Sequence, residues 1–591
     1  MNEREPAHTL PLGEQWDAQF DVIVLGAGAG GMTAALVAAT QGLAVLLIEK
    51  SGVLGGTMAL SSGTVWIPAN PHMESRDGDA ERAMRYLDAL AADRSNQALL
   101  RAFIAKGPDM VRYLESRSEV RFRAYSRMPD YRQDIPGAGS GGRPLEPLPF
   151  DGRLLGKDFD RLRPPIPELT IWGGMMLTRS EASLLLRGPR SFDAIALGAR
   201  LLLRHVADRM SHERGTRLVL GNALAGRLYK SLRDERVDIW YRTAIERLIL
   251  SGGRVLGVHA MREGKPLRVG ARQGVVLAGG GFPASREMRN EYLPAPVAQH
   301  TAACPDSTGD TIRLALAAGA VLGKGSAENA LWFPSSLARR KDGSIAVYPH
   351  IVLDRPKPGL IAVDSTGRRF VNEAVSYHEF TRAMYRSHRN VPTIPAYLIC
   401  DRRFLRRYGL GMVHPPALSI RRHVSSGYLV SAPTLPELAL ALGLDPDALV
   451  QTVARHNDFA RTGRDTDFNK GGTIFERANG DASQQPNPCL GPIEKAPFCA
   501  VKVYPTPLGT SLGLAVDADA RVLDGEGVPL AGLYACGNDA DSIFGGEYPG
   551  AGAQIGSAMT FGYIAAQHVA RVWAQETGAA TAGNRPHREV A

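Results

Sequence analysis

Residues 21–49 read DVIVLGAGAGGMTAALVAATQGLAVLLIE, and this stretch decides the fold. DVIVL is a β-rich apolar run. Glycines follow at 26, 28 and 31, then the small-residue run MTAALVAATQG; LAVLLIE (43–49) reads as a second strand ending on Glu49. The whole predicts a βαβ unit. Gly26 allows the tight turn, Gly28 lets backbone approach a pyrophosphate, and Gly31 lets helix pack on strand. Glu49 stands 18 positions after Gly31, where an acid accepts hydrogen bonds from a ribose diol.

Working outward, ERVDIWYRTAIERLILSGGRVLGVHAM (235–261) alternates in the β manner around a turn at Ser251-Gly252-Gly253. VGARQGVVLAGGGFPAS (269–285) and GVPLAGLYACGNDAD (527–541) are two more strands ending in glycine turns. The nucleotide domain is therefore expected from both ends of the chain, residues 1–299 and 490–591. An inserted substrate domain is expected at 300–489, rich in aromatic and proline loops, with a helical stretch at 434–463. Directly after Glu49, the loop SGVLGGTMALSSGTVWIPAN (51–70) offers Gly55, Gly56, Thr57, Ser61, Ser62 and Gly63, small enough to pass close to a flat ring.

Bulk properties exclude several classes. The 591 residues carry 69 basic and 60 acidic side chains, a net charge of +9, but the basic residues are scattered and no aromatic-basic module accompanies them. Nucleic acid is not an expected partner. Cys304, Cys400, Cys489, Cys499 and Cys536 are odd in number and form no CxxC pair, so neither a disulfide framework nor a metal site is expected; a reducing, cytoplasmic compartment fits. The first twenty residues have no signal-peptide core, and no 18-residue uncharged apolar run spans a membrane. The stretch 169–206 is apolar but interrupted by arginines. It reads as buried helices, with a peripheral membrane contact or substrate-access lid as the alternative.

Five segments together carry a family resemblance: GAGAGG with Glu49, GGTMALSSGTVWIPAN, GRRFVNEAVSYHEF (367–380), GLYACGN (532–538) and GGEYPGAGAQIGSAMTFGYIAA (545–566). They resemble the flavoproteins of the fumarate reductase and 3-ketosteroid dehydrogenase superfamily, and the YPG…AMTFGY ending resembles the Δ1-dehydrogenases more. The resemblance implies an α/β fold: a Rossmann-like FAD-binding domain of the glutathione-reductase type with an inserted α+β substrate domain. It implies non-covalent FAD. The first glycine loop would hold the pyrophosphate, with further contacts at Gly279, Gly280, Asn538, Gly552, Gln554 and Ile555. The C-terminal helix would aim its positive end at the flavin edge that gains charge on reduction.

Dicarboxylate enzymes of this superfamily clamp their substrate with Arg and His. DADSIFGGEYPGAGAQIG (539–556) contains neither, which disfavours a dicarboxylate. The resemblance instead implies a hydrophobic ketosteroid-like substrate, 1,2-dehydrogenation of a 3-oxosteroid, and an unidentified electron acceptor. It places Tyr377 as the proton-abstracting base and Tyr131 as its supporting phenol. The tyrosine expected after Phe498 to bind the carbonyl is replaced by Cys499, a small buried hydrophobe, so Tyr504, with the Gly509 backbone N–H, is the candidate for that role. The rival readings are alkene reduction or Δ4-dehydrogenation, a fumarate-reductase-like enzyme, and a flavin-binding protein without turnover.

Overall fold

The computed structural model describes residues 16–94, 96–185 and 191–577. The N-terminal residues read above for a leader, and 186–190 within the arginine-interrupted stretch, lie outside the described residues. The strand Ala18–Leu25 buries Val22 to Leu25 to 2% exposure or less, as a parallel strand covered on both faces must. It pairs in parallel with Val45–Ile48 on one side and with Lys265–Leu277 on the other. Lys265–Leu277 in turn pairs in parallel with Pro529–Ala535. Leu25, Leu277 and Ala535 are in register, so the three strands end side by side, each in a glycine turn. That edge, outside the carboxyl ends of parallel strands, is where such sheets bind ligands. Asp238–Trp240 extends the sheet beyond Val45–Ile48, and the hairpin Thr243–Ser251/Arg254–Arg262 with Arg521–Leu523 completes eight strands.

A second sheet of six strands is antiparallel. Its order is Ile345–Pro349, Ala330–Arg339, Phe498–Thr510, Ala396–Asp401 and Leu360–Val363, with Val430–Ala432 also on Phe498–Thr510. The division expected at 489/490 falls ahead of Phe498–Thr510, whose ladder partners all lie in this second sheet. The helical stretch 434–463 is two helices, Leu435–Leu442 and Pro446–Thr462. Gly443 closes the first in the left-handed region at φ 74°, and Asp445 caps the second ahead of Pro446. Against the nucleotide sheet, the helix Ala29–Thr40 crosses the C-terminal helix Ala553–Thr577 at close range: a Cβ on Gly562 would stand 2.5 Å from the Gly30 carbonyl oxygen.

Candidate active site

One cavity of about 1720 Å³ runs from the glycine turns of the nucleotide sheet to the second sheet. At its first end, Gly26 has φ +106° and a Cβ there would stand 2.3 Å from the Ala278 carbonyl; a Cβ on Gly31 would stand 1.9 Å from the Gly26 carbonyl. These two glycines are packing requirements. Gly28 differs, because a Cβ there would meet no atom within 4 Å. The space lies on the cavity side, at the start of Ala29–Thr40, a helix end with no side-chain cap and hence free N–H groups. Glu49 lines the same end and is held by both oxygens, accepting from Ala27 N (3.0 Å) and Ser51 N (2.9 Å). The turn at Gly279–Gly281 is pinned by buried Asp539, which accepts from Gly279 N (2.6 Å) and Gly281 N (2.9 Å). An open cradle at Gly28, a free helix N-terminus and a fixed acid fit the diphosphate and ribose of a dinucleotide.

The other glycine-rich segment walls the far end. Gly552, at φ +92°, packs so tightly on the loop before Trp66 that a Cβ would stand 2.2 Å from the Thr64 carbonyl; its own carbonyl accepts from Trp66 N at 3.1 Å. Gly552, Gln554 and Ile555 line the cavity with Thr57, Ser61 and Ser62. Gln554 donates to Asn538, another wall residue, at 3.2 Å.

Three tyrosines converge beside this wall. The Tyr131 hydroxyl donates to the Tyr377 oxygen at 2.9 Å. Tyr548 stacks on Tyr131, with ring centroids 5.6 Å apart and planes at 13°, and meets Tyr377 edge-on at 5.6 Å. Phe333 packs on Tyr377 at 4.6 Å and Phe475 on Tyr131 at 5.0 Å. The backbone fixes each ring. Tyr131 N and the Tyr86 hydroxyl both donate to the Pro549 carbonyl, at 3.0 and 2.8 Å. Tyr377 opens the helix Tyr377–His388 after the cap Ser376, and the preceding turn is held by buried Arg355, which donates to the carbonyls of Glu373 (2.8 Å) and Val375 (3.2 Å). Burial pushes all three phenols up. Tyr377 stands well above the usual value, raised further by its tyrosine neighbours, whereas Tyr548 reaches about 12, held down by hydrogen bonds with Tyr377 and the Gly552 backbone. All three are neutral near pH 7.

Of the residues expected at the site, Gly26, Gly28, Glu49, Gly56, Gly279 and Gly280 line the nucleotide end, and Tyr131 and Tyr377 the far end. Gly55 and Gly63 stand behind the wall at positive φ, against Ala59 and Gly221. Tyr504 and Gly509 are not on the cavity lining. Tyr504 lies opposite Ser335 in the second sheet, and a Cβ on Gly509 would stand 2.5 Å from Asn538, on the outer side of the wall. The reason is a bulge: pairing passes from Trp332–Pro507 to Leu331–Gly509, and the skipped Leu508 is the residue of Phe498–Thr510 that reaches the cavity. Cys499 is fully buried within the second sheet's core. The residue the sequence reading passed over is Tyr548, inside the quoted GGEYPG; the signal was a tyrosine four positions before the flavin-loop glycine.

The fold and cavity define a dinucleotide-dependent oxidoreductase with a phenolic far end. Residues 21–555 match the family described as FAD binding domain. The chain is 37% identical over 555 residues to the 4-oxocyclohex-2-ene-1-carboxylate 5-dehydrogenase of Sinomonas cyclohexanicum, covering 93% of this chain and 94% of that protein. It is 36% identical over 570 residues to the 3-oxosteroid 1-dehydrogenase of Mycobacterium tuberculosis, covering 93% and 98%. The crystal structure of 3-ketosteroid Δ1-dehydrogenase from Sterolibacterium denitrificans, in complex with 1,4-androstadiene-3,17-dione, superposes with TM-score 0.88 at 39% identity, covering 94% of this chain and 100% of that one. The chain belongs to the flavoprotein superfamily of these dehydrogenases. It is an FAD-dependent dehydrogenase of the 3-oxosteroid 1-dehydrogenase type, with an α/β FAD-binding fold.

Proposed function

We propose that the protein desaturates the carbon–carbon bond next to the carbonyl of a hydrophobic cyclic ketone, most simply by 1,2-dehydrogenation of a 3-oxosteroid. The observation that carries the reading is the 2.9 Å contact of Tyr131 with Tyr377, set beside Tyr548 and Gly552 in the cavity that also holds the nucleotide cradle. Tyr548, its oxygen held by the Gly552 backbone, donates to the substrate carbonyl, polarising it and acidifying the adjacent C–H. This pair takes the role first expected of Tyr504 and Gly509. The Tyr377 oxygen removes the proton, and Tyr131, hydrogen-bonded to that oxygen, orients it for the transfer. FAD, when bound, supplies the two-electron oxidant. The apolar walls of Phe333, Phe475 and Leu508 exclude water from the reacting atoms. A separate electron acceptor completes the cycle, and five buried free thiols suit a reducing cytoplasm. We also assign Phe498–Thr510 to the substrate domain.

A second reading, a smaller cyclic ketone bearing a carboxylate, has one observation in its favour. Lys357 and Arg179 line the cavity, and neither forms an ion pair among the described residues. Burial, with Arg179 beside it, pulls Lys357 down to about 8. The test is anaerobic mixing of the yellow holoenzyme with 3-oxosteroids, 4-oxocyclohexanecarboxylate and succinate. Rapid bleaching by a cyclic ketone supports the proposal; bleaching by none of them refutes it.

A further inference from the structure

The helix Phe192–Arg209 presents three faces rather than two. Ala194, Leu201, His205 and Asp208 are buried against the protein. The opposite face is apolar and bare: Phe192 is 82% exposed, Leu203 72% and Met210, just past the end, 85%, with Ile195, Leu202 and Val206 beside them. At 100° per residue these six side chains fall within one stripe along the whole helix. Arg200 flanks the stripe on one side and Arg209 on the other, while Arg204 lies farther round and pairs with Asp151 at 3.5 Å. Of the acids on this helix, Asp208 is turned inward, accepting from Thr216 N at 2.8 Å, and Asp193 sits at the first turn, outside the stripe.

A second element stands next to the helix. Ile171 and Met175 bridge across a turn made by Trp172, Gly173 and Gly174, which leaves Trp172 at the tip, 56% exposed. His205 ties this turn to the helix through the Trp172 carbonyl at 3.1 Å. Leu169, Ile171 and Trp172 also line the cavity, so the turn that His205 ties to the helix is part of the cavity's rim.

We propose that this surface docks on an anionic lipid bilayer, with the cavity rim facing the membrane. The charge pattern selects that occupant. An apolar stripe edged by arginines lies in the interface, its side chains among the acyl chains and its guanidiniums at the phosphates, with a tryptophan at headgroup depth. No helix among the described residues is long and apolar enough to cross a membrane, so the contact is peripheral. The role of the rim, uptake of an apolar ketone directly from the bilayer, rests on the function proposed above; the docking itself does not.

The test is co-sedimentation of holoenzyme with phosphatidylcholine vesicles, with and without phosphatidylglycerol, in the absence of any substrate. The wild-type protein should pellet with the anionic vesicles and be released by high salt. Leu203→Glu should weaken binding by on the order of tenfold or more, since it removes an apolar side chain from the stripe and adds a charge at acyl depth. Arg200→Gln with Arg209→Gln should abolish the preference for phosphatidylglycerol. Bleaching by a water-soluble cyclic ketone, measured without vesicles, should be unchanged in both variants, which separates a failure of docking from a failure of the proposed chemistry. Wild-type protein that stays in the supernatant, or Leu203→Glu protein that binds as tightly, overturns the proposal. So does light scattering that finds a dimer broken by Leu203→Glu with vesicle binding intact, since the stripe would then face a second copy.

Discussion

Tyr377→Phe removes one oxygen and leaves the ring against Phe333 and Tyr548. Its structural cost can be worked out. The Tyr131 hydroxyl loses its acceptor at 2.9 Å in a buried site, worth about 1–3 kcal/mol for an unsatisfied donor. The protein should still fold and stay yellow, because the ring and hydroxyl of Tyr377 meet Tyr131, Phe333 and Tyr548, all at the far end. If Tyr377 is the base, its loss should slow proton removal by roughly 10²-fold or more, equivalent to about 2.7 kcal/mol of barrier. The assay is anaerobic stopped-flow bleaching with saturating 3-oxosteroid, a single turnover that excludes product release. Substrate affinity should change little, since the apolar walls remain. A bleaching rate within a few-fold of the parent, at matched cofactor occupancy, refutes the assignment of Tyr377 and with it the mechanism.

Tyr548→Phe should differ in kind, weakening both ketone affinity and rate because carbonyl polarisation is lost in the complex as well as in the transition state; Tyr504→Phe, off the cavity, should match the parent, and steady-state KM and kcat for the pair check this. Gly28→Val should purify with markedly less FAD, because the side chain fills the space where the diphosphate approaches; absorbance per protein is the readout. Since burial holds Tyr377 protonated near neutrality, the single-turnover rate should climb with pH by up to about tenfold per unit below its pKa, and a flat profile from pH 7 to 9 would count against a phenolate base. His378 and His456 are pulled down to about 3 by burial, so between pH 6.5 and 3 the unfolded chain binds protons that the folded one does not; stability is lost as the pH is lowered through that window, visible as a declining Tm below pH 6.5.

The nucleotide end was legible in the sequence because its physics is local. The turn at Gly26, the approach at Gly28 and the acid at Glu49 lie within one βαβ unit, and each requirement shows as a residue type at a fixed spacing. The far end is non-local. Tyr131, Tyr377 and Tyr548 come from three distant segments, and only the packing of both sheets brings their rings within 5.6 Å. Tyr504 misled because the strand is irregular: alternation alone would set Tyr504 and Leu508 on one face, but the pairing skips Leu508 between Pro507 and Gly509, and only this bulged residue reaches the cavity. The two-helix break at Gly443–Pro446 was visible in residue chemistry, a left-handed glycine followed by Asp-Pro. The exposed stripe on Phe192–Arg209 was half visible, since periodicity reveals an apolar face without telling whether anything covers it.

Gly28 and Gly552 wall one cavity although more than 500 positions separate them in the chain. During synthesis the first cradle emerges from the ribosome long before its counterpart exists. A nascent chain can fold the Gly26–Glu49 cradle early, yet the Gly279–Gly281 turn waits for Asp539, and a flavin ring cannot be shielded until residues 551–558 are released. Yellow colour then certifies a finished polypeptide: a chain terminated short of the last glycine loop would leave any captured cofactor half-held and exchanging with the medium. Supplementing an expression culture with riboflavin should therefore raise the holo fraction of full-length protein while doing little for truncated products, which remain pale and open to proteolysis.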